Sequence, residues 1–245
     1  MQFPDINATP VAQLAQAGFA VSAKLYTPAE IAALLRTVES APVSGPNFRR
    51  SQEVFAIRDL LGEVPALAPL LATRPLRELL EQLFPEGCRL VKAIYFDKPA
   101  GSNWLVAWHQ DLMINVTQRL ALPGFGPWTS KPEGVAVQPP AAVLENMTTI
   151  RIHLDDCDAS NGALKVVPGS HRQGVIPATA LPAYTPAAVS CAVPAGGAML
   201  MKPLLLHASS RSSSPRPRRV MHLEFTSVAL PEGLEWREQR PSNGL

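Results

Sequence analysis

The sequence predicts a mainly β protein with flanking α-helices, built on a double-stranded β-helix core of the jelly-roll, cupin-like type. Three observations lead to this prediction. The 25 prolines among 245 residues favour strands, turns and loops over long helices. From residue 89 onward, short β-rich segments alternate with turn signals. Several of these segments have one apolar face and one polar face, as expected for two sheets that enclose a polar pocket.

The whole chain, residues 1–245, is expected to form a single domain with its own core. Residues 1–88 are predicted to be a mostly helical part that packs on the sheet, and residues 89–230 to form the jelly-roll core. Residues 118–138 contain three prolines and three glycines without clear periodicity. This segment is expected to be either an active-site lid or a disordered insertion.

Residues 1–40 are predicted to be helical, with a clear helix start at Thr27-Pro28-Ala29-Glu30. Thr27 is a good capping residue, proline suits the first helical position, and Glu30 completes a capping box. Residues 41–54 are polar and are predicted to form a loop. Two further helical patterns follow, at about residues 64–71 and 75–83, and both are interpreted as scaffold.

Composition and charge argue against several classes of protein. The formal net charge of +2 gives no strong field for nucleic acid or an anionic membrane. No apolar run approaches the roughly 20 residues that a membrane span needs. The first residues lack a basic start followed by an apolar block, so no signal peptide is expected. The three scattered cysteines form no metal-binding spacing and suit a reducing cytoplasm: Cys88, Cys157 and Cys191.

The predicted strands carry the pattern from which the pocket is inferred. In the strand at 147–154, apolar residues occupy one face, and Thr149, Arg151 and His153 occupy the other. In the last strand, at about 218–228, an apolar face likewise alternates with a face that carries Arg218, His222 and Glu224. Further strands are predicted at 90–96, 163–167 and 198–206. Faces that carry arginine and histidine must either meet water or line a polar cavity.

One short stretch supplies the candidate metal ligands. His109 and Asp111 are two residues apart, and on an extended strand such residues share a face. His207 follows the apolar run 202–206 and is placed at the end of a strand. Two histidines and one carboxylate on one face, with the other positions open, are typical of non-haem Fe(II) oxygenases. The pair His109 and Asp111 alone would be weak evidence.

Four motifs in one order make the chain resemble the Fe(II)/2-oxoglutarate dioxygenases, and more closely their phytanoyl-CoA dioxygenase family. The resemblance covers roughly residues 10–230. The motifs are Lys98-Pro99-Ala100-Gly101, Trp108-His109-Gln110-Asp111, Asn161-Gly162-Ala163-Leu164 running into Pro168-Gly169-Ser170-His171, and His207-Ala208-Ser209 followed by Arg218-Arg219.

The resemblance assigns roles to individual residues. His109, Asp111 and His207 match the iron ligands of the family. Arg218 matches the arginine that binds the distal carboxylate of 2-oxoglutarate, a role that suits a guanidinium fork. Ser209 matches a position that supports the same co-substrate through its hydroxyl.

Arg151 departs from the family, because some relatives place an aromatic residue there. It is expected to hold the co-substrate or to grip an anionic group of the substrate. The alternative is a structural salt bridge to Glu224 or to an aspartate of the 155–158 turn. Arg219 could replace Arg218 only if the register slipped by one residue, which would exchange the two faces of the strand.

The remaining polar residues are given lesser roles. His171 is expected to be structural, and His153 and His222 to form walls of the pocket rather than to bind metal. Trp104 and Trp108 are expected to pack beside the metal-binding strand.

The implied activity is that of an oxygenase with Fe(II), 2-oxoglutarate and O2 as cofactor and co-substrates. Such an enzyme hydroxylates an unactivated C–H bond and releases succinate and CO2. Halogenating relatives lack the carboxylate ligand, so the presence of Asp111 favours hydroxylation, with desaturation and ring formation left open. Arg151 and Lys131 favour a small polar or anionic substrate, and the oligomeric state cannot be predicted.

Two other functions fit the same residues. A jelly-roll enzyme with Zn(II), such as an isomerase or hydrolase, could use the same three ligands but would not need Arg218. A non-catalytic binding module could keep the fold, although it would have no reason to keep three ligands and the arginine together.

Overall fold

The computed structural model of the protein describes residues 9–22, 24–42, 44–50, 54–98, 105–131 and 134–241. The strands are β1 Phe19–Ser22, β2 Phe48–Arg50, β3 Val54–Arg58, β4 Arg89–Lys98, β5 Val106–His109, β6 Ile114–Val116, β7 Trp128–Lys131, β8 Gly134–Val137, β9 Met147–His153, β10 Leu164–Val166, β11 Val189–Ser190, β12 Ala198–Met201, β13 His207–Ser209, β14 Arg218–Thr226 and β15 Arg240–Pro241. The α-helices are α1 Pro10–Ala17, α2 Pro28–Glu39, α3 Leu60–Glu63, α4 Leu67–Leu71, α5 Arg74–Leu83, α6 Ala141–Glu145 and α7 Leu181–Tyr184. Short 3-10 helices lie at Ala159–Asn161, Ser170–Gln173, Ala178–Ala180 and Thr185–Ala187.

The strands form three antiparallel sheets. The largest has the order β1-β12-β9-β14-β4-β3-β2, with β15 also paired to β4. The second has the order β11-β10-β13-β5, and the third the order β6-β8-β7. This arrangement is the jelly-roll architecture with flanking helices that the sequence predicts. No helix in the described part of the chain is long and apolar enough to cross a membrane.

The two faces of the large sheet differ as the alternation of residues predicts. One face packs its apolar side chains, among them Ile150, Ile152 and Leu223, against the N-terminal helices in the main core. The other face buries polar and charged side chains, because the remaining sheets cover it. These buried residues of β9 and β14 are Thr149, Arg151, His153, Arg218, His222 and Glu224.

The helix start at Thr27 is confirmed in detail. The Thr27 Oγ1 accepts a hydrogen bond from the backbone N–H of Glu30, and the Glu30 carboxylate accepts one from the Thr27 N–H. Residues Ile31, Leu34 and Val38 of α2 are then buried in the main core. The capping box therefore fixes where the helix begins, and its apolar stripe fixes which face packs on the sheet.

The N-terminal part is less helical than predicted. Strands β1, β2 and β3 lie within residues 1–88; β2 falls in the segment 41–54 that was predicted to be a loop, and β3 begins at its last residue. β1 pairs with β12, and β3 pairs with β4. β1 and β3 are stabilised by partners far along the chain, and β2 pairs with β3, so local sequence gives little sign of them. The segment 118–138 similarly contains the β7–β8 hairpin, which pairs with β6.

The single strand predicted for 198–206 is wrong. β12 ends at Met201, and a turn follows in which the Leu205 N–H donates to the Lys202 carbonyl at 3.0 Å. Pro203 explains the break, because proline has no N–H to continue a strand ladder. The chain then enters the second sheet, so His207 begins β13 instead of ending a strand of the large sheet.

Substituting Leu223→Ala should lower the free energy of unfolding by about 2–5 kcal/mol, because Leu223 is fully buried in the main core. Urea unfolding measures this change. The matched control is Leu105→Ala, whose side chain is 54 % exposed and whose loss should change stability by less than about 0.5 kcal/mol. Equal effects of the two substitutions would contradict the assigned core.

Glu238 should make stability depend on pH in the opposite sense to most carboxylates. Its carboxylate accepts a hydrogen bond from the Ala93 N–H at 2.7 Å, and burial raises its pKa to about 7. The folded state therefore holds this proton more tightly than the unfolded chain. The resulting stability is present below pH 4.5 and is lost as the pH rises through 7.

The substitution Glu238→Gln should remove this dependence. Between pH 5 and pH 8, the wild type should lose about 2–3 kcal/mol more unfolding free energy than the variant. Urea titrations at both pH values compare the two proteins. Parallel pH profiles would show that Glu238 ionises normally.

Candidate active site

His109 and His207 lie side by side because their strands pair. His109 is the last residue of β5, His207 is the first residue of β13, and the antiparallel register sets them directly opposite each other. Their ring centroids are 4.2 Å apart. Two imidazoles that are distant in sequence are thus brought together at one end of the β5–β13 pair.

Asp111 completes the group, although not by the route that the sequence suggested. β5 ends at His109, so Asp111 lies just beyond the strand. Its backbone N–H donates to the Pro203 carbonyl at 2.9 Å, which fixes the segment against the turn before β13. Its two carboxylate oxygens each lie 3.7 Å from the Nε2 atom of one histidine. The three potential ligand atoms lie within 4.8 Å of one another.

Hydrogen bonds leave the correct ring nitrogens free for a metal. The Nδ1 atom of His109 lies 2.8 Å from the Ala107 carbonyl, and that of His207 lies 2.9 Å from the Leu205 carbonyl. A carbonyl only accepts, so each Nδ1 carries the hydrogen and each Nε2 keeps its lone pair. Ligating histidines are commonly oriented in this way by their second nitrogen.

The protonation states also favour metal binding. Burial lowers the pKa of His207 to about 4, so this imidazole is neutral at pH 7. Burial alone would raise the pKa of Asp111, but His207, the other imidazoles and Lys92 outweigh it and hold this pKa below its ordinary value. A neutral imidazole and an ionised carboxylate are the forms that bind a cation. The donor set therefore fits a divalent metal such as Fe(II).

The other histidines stand apart from this group. In the part of the chain that the structure describes, His109, Asp111 and His207 are the one cluster of metal-binding side chains found. His171 lies in the Ser170–Gln173 turn, with its Nε2 atom 3.4 Å from the Ala15 carbonyl. Trp108 is partly buried against a small cluster that includes Leu206, the neighbour of His207, and Trp104 lies outside the described residues.

Arg218 and Ser209 meet at one backbone carbonyl. The Arg218 NH1 group and the Ser209 Oγ both donate to the Gly162 carbonyl, the latter at 3.1 Å. Gly162 has a φ of +83°, and a Cβ atom there would lie 2.8 Å from the Ser210 carbonyl. Only glycine fits this close approach without strain. The Asn161-Gly162 motif therefore builds the wall behind the arginine.

The surroundings of Arg218 are buried and positively charged. Arg218 is 6 % exposed, and Lys98 lies opposite it in the β4–β14 register. The Lys98 Nζ donates to the Ser210 carbonyl at 2.8 Å. Burial and then the nearby Arg218 charge lower the pKa of Lys98 to about 8, and burial lowers the pKa of Arg218. An anion bound here would relieve both effects.

Arg219, one residue further on, points to the opposite face and binds differently. Its guanidinium pairs with Asp155 at 2.8 Å and with Glu39 at 3.2 Å. The two arginines therefore lie on opposite faces of β14, as predicted by the alternation of charged and apolar residues that favoured Arg218 for the pocket.

Arg151 is buried without a carboxylate partner among the described residues. Its NH1 group lies 2.9 Å from the His222 Nδ1. Burial, followed by repulsion from Arg218, lowers the pKa of Arg151 to about 10. The alternative of a salt bridge to Glu224 or to the 155–158 turn is wrong, because those carboxylates bind other groups: Lys92, His222, Arg219, Arg216 and the Ala195 N–H.

Several buried polar atoms on the inner faces of β9 and β14 have no hydrogen-bond partner among the described residues. They are the Thr149 Oγ1, the Arg151 Nε, both ring nitrogens of His153 and the Arg218 Nε. Burial lowers the pKa of His153 well below its usual value, so the ring is neutral. Buried polar groups normally find partners, so this cluster indicates the place of a polar ligand.

Sequence reasoning missed the contribution of β4. Lys92, Phe96 and Lys98 share one face of this strand, and Lys92 pairs with Glu224 at 2.9 Å. The signal was present, because a lysine in a β-rich run that is otherwise apolar needs a partner when the strand is central. The sequence alone did not show that β4 lies next to β14.

Fold and site together define a jelly-roll metalloprotein with a centre of two histidines and one carboxylate beside a buried arginine. The sequence model of the phytanoyl-CoA dioxygenase (PhyH) family matches residues 14–220. The chain therefore belongs to this family of Fe(II)- and 2-oxoglutarate-dependent dioxygenases, as its motifs predict.

Solved structures share the fold at low sequence identity. EctD from S. alaskensis with 2-oxoglutarate and 5-hydroxyectoine has a TM-score of 0.70 and 20% identity, over 93% of this chain and 79% of its own. The carbocyclase SnoK from nogalamycin biosynthesis has a TM-score of 0.64 and 14% identity, over 90% and 84%. The epimerase SnoN from the same biosynthesis has a TM-score of 0.65 and 17% identity, over 94% and 93%. No curated protein sequence matches the chain significantly.

Asp111→Ala and His207→Ala should each weaken Fe(II) binding by more than about 100-fold, because each removes one of three ligands. Iron retained after anaerobic desalting measures this loss. His171→Ala is the matched control and should retain iron like the wild type, since His171 lies outside the cluster. Full iron retention by the Asp111 variant would contradict the assigned centre.

Proposed function

We propose that this protein is an Fe(II)- and 2-oxoglutarate-dependent dioxygenase that hydroxylates an unactivated C–H bond of a small polar or anionic metabolite. Succinate and CO2 would be the other products. The observation that carries this proposal is the convergence of three ligand atoms within 4.8 Å, in a chain that also buries Arg218 without a carboxylate partner in the described structure. A zinc hydrolase would have no use for that arginine.

His109, Asp111 and His207 would hold the metal through the two Nε2 atoms and the carboxylate. When bound, iron would supply the activation of dioxygen that no side chain can perform. Three ligands on one face leave room for a chelating co-substrate and for dioxygen. EctD has been crystallised with bound Fe and with 2-oxoglutarate, and SnoN with Fe3+ and alpha ketoglutarate, which supports the same pair here.

Arg218 and Ser209 would hold the distal carboxylate of 2-oxoglutarate. The Arg218 NH1 is anchored on the Gly162 carbonyl, while its Nε has no partner within the described chain. A guanidinium shielded from water binds a carboxylate strongly. Lys98 adds a second positive charge at the same end of the pocket.

The two histidines differ in access, which bears on where the substrate enters. The His207 side chain is only 5% exposed, whereas that of His109 is 39% exposed. We therefore place the substrate on the His109 side of the metal. The Thr149 hydroxyl and the His153 ring, which have no hydrogen-bond partner among the described residues, favour a polar or anionic substrate.

Hydroxylation is proposed as the outcome because the Asp111 carboxylate occupies the ligand position that halogenating relatives leave to halide. The structural neighbours include a carbocyclase and an epimerase, so this fold supports other outcomes in other proteins. The choice depends on how the substrate is held.

We also propose a cytoplasmic location and no nucleic-acid or membrane partner. Cys157 and Cys191 are buried free thiols, and burial raises the pKa of each, which keeps both protonated. Free buried thiols suit a reducing compartment.

Anaerobic addition of 2-oxoglutarate to the Fe(II)-loaded protein should produce the visible charge-transfer band of the chelate. In Arg218→Ala the titration should shift to concentrations at least about 30-fold higher, because a buried charge partner of the carboxylate is lost. Arg219→Ala is the matched control, since Arg219 pairs with Asp155 on the other face. Its titration should match that of the wild type.

Two results would contradict the proposal. If the intact protein gave no charge-transfer band, it would behave as a zinc enzyme does. If it formed no succinate when air is admitted, it would behave as a non-catalytic binding module does.

A further inference from the structure

We infer that His222 is a positioning residue that orients Arg151 toward 2-oxoglutarate. Arg151 is then a second arginine that binds the co-substrate, and it does not bind the substrate. This inference rests on the proposed function of the same site. It is carried by a chain of buried and partly buried hydrogen bonds across three strands.

The chain begins at Arg151 and ends beside the metal centre. The Arg151 NH1 lies 2.9 Å from the His222 Nδ1, and the His222 Nε2 lies 3.0 Å from the Glu224 Oε1. The Lys92 Nζ donates to the same Glu224 oxygen at 2.9 Å and to the Met113 carbonyl at 2.9 Å. Met113 lies two residues beyond Asp111, so the chain joins Arg151 to the segment that carries a metal ligand.

The partners fix where the hydrogens lie. Arginine can only donate, so the His222 Nδ1 must accept and carries no hydrogen. Burial opposes ionisation of Glu224, but Lys92 and His222 outweigh it and hold its pKa below the usual value. The ionised carboxylate accepts, so the His222 Nε2 carries the hydrogen. His222 is thereby assigned as the neutral ring with its hydrogen on Nε2.

A neutral histidine at this place has a clear physical consequence. If Glu224 bound Arg151 directly, the ion pair would cancel the positive charge of the guanidinium. With the neutral His222 between them, Arg151 is oriented by a hydrogen bond and keeps its charge for a ligand. Phe96 adds to the orientation, since its ring meets the His222 ring edge-on at 6.0 Å and lies 5.9 Å from the Arg151 Cζ.

The charge of Arg151 is buried on the same inner face of the large sheet as that of Arg218. Arg151 lies opposite His222 in the β9–β14 register, and Arg218 lies four residues before His222 on the same face of β14. In the proposed binding mode, 2-oxoglutarate reaches from the metal to Arg218. Arg151 would then lie alongside it, with an Nε that has no partner within the described chain.

The test compares two substitutions of His222. In His222→Asn, the amide oxygen can replace Nδ1 as the acceptor for Arg151. In His222→Leu, that acceptor is lost. Anaerobic titration of the Fe(II) protein should show 2-oxoglutarate binding at least about 10-fold weaker in His222→Leu, and within about threefold of wild type in His222→Asn. Iron content should be unchanged in both, and His171→Leu serves as the matched control.

A second measurement needs no activity and no iron. In the metal-free wild type, 15N NMR should show that the His222 Nδ1 carries no hydrogen and that its Nε2 is protonated. The signals of this ring are identified because they disappear in His222→Asn. A protonated Nδ1 would overturn the inference even if a variant failed to fold.

The outcomes separate the inference from the proposed function. Unchanged 2-oxoglutarate binding in His222→Leu, with the Arg218 dependence intact, would overturn the role of His222 alone. Absence of the charge-transfer band in the wild type would overturn the function on which the inference rests.

Discussion

The antiparallel pairing of β5 with β13 is the constraint on which the site depends. This pairing sets His109 opposite His207, and the turn before β13 holds Asp111 through the Pro203 carbonyl. The position of the metal centre is thus fixed by backbone hydrogen bonds instead of by flexible side chains. Because each Nδ1 is also bound to a carbonyl, both rings are oriented before any metal arrives.

The second constraint is the burial of charge between the sheets. β4, β9 and β14 bring Lys92, Lys98, Arg151 and Arg218 into the interior, where Glu224 pairs with Lys92 and Asp111 adds a second negative charge. Such an interior costs stability unless an anion binds there. A dianionic co-substrate would relieve the repulsion between these buried cations, and this relief would contribute to its binding. The neutral His222 leaves the positive charge of Arg151 available for the co-substrate.

Much of the fold and of the site could be predicted from local patterns. Alternation in β9 and β14 correctly separated the faces of Arg218 and Arg219, and the capping box at Thr27 located a helix. The strands β2 and β3 were missed because β3 pairs with the distant β4 and β2 pairs with β3. The continuous strand over 198–206 was wrong because Pro203 divides it. The role of Lys92 could not be seen without the pairing of β4 with β14.

The sequence by itself determined the class of chemistry: two histidines, one aspartate and one arginine of the right kind, in the order of a known family. Residue types and their order along the chain are local facts, so the sequence contains them in full. Only the tertiary structure decided which arginines have no carboxylate partner among the described residues and which histidine lies between Arg151 and Glu224. Those depend on contacts between strands far apart in sequence, and no local pattern encodes them.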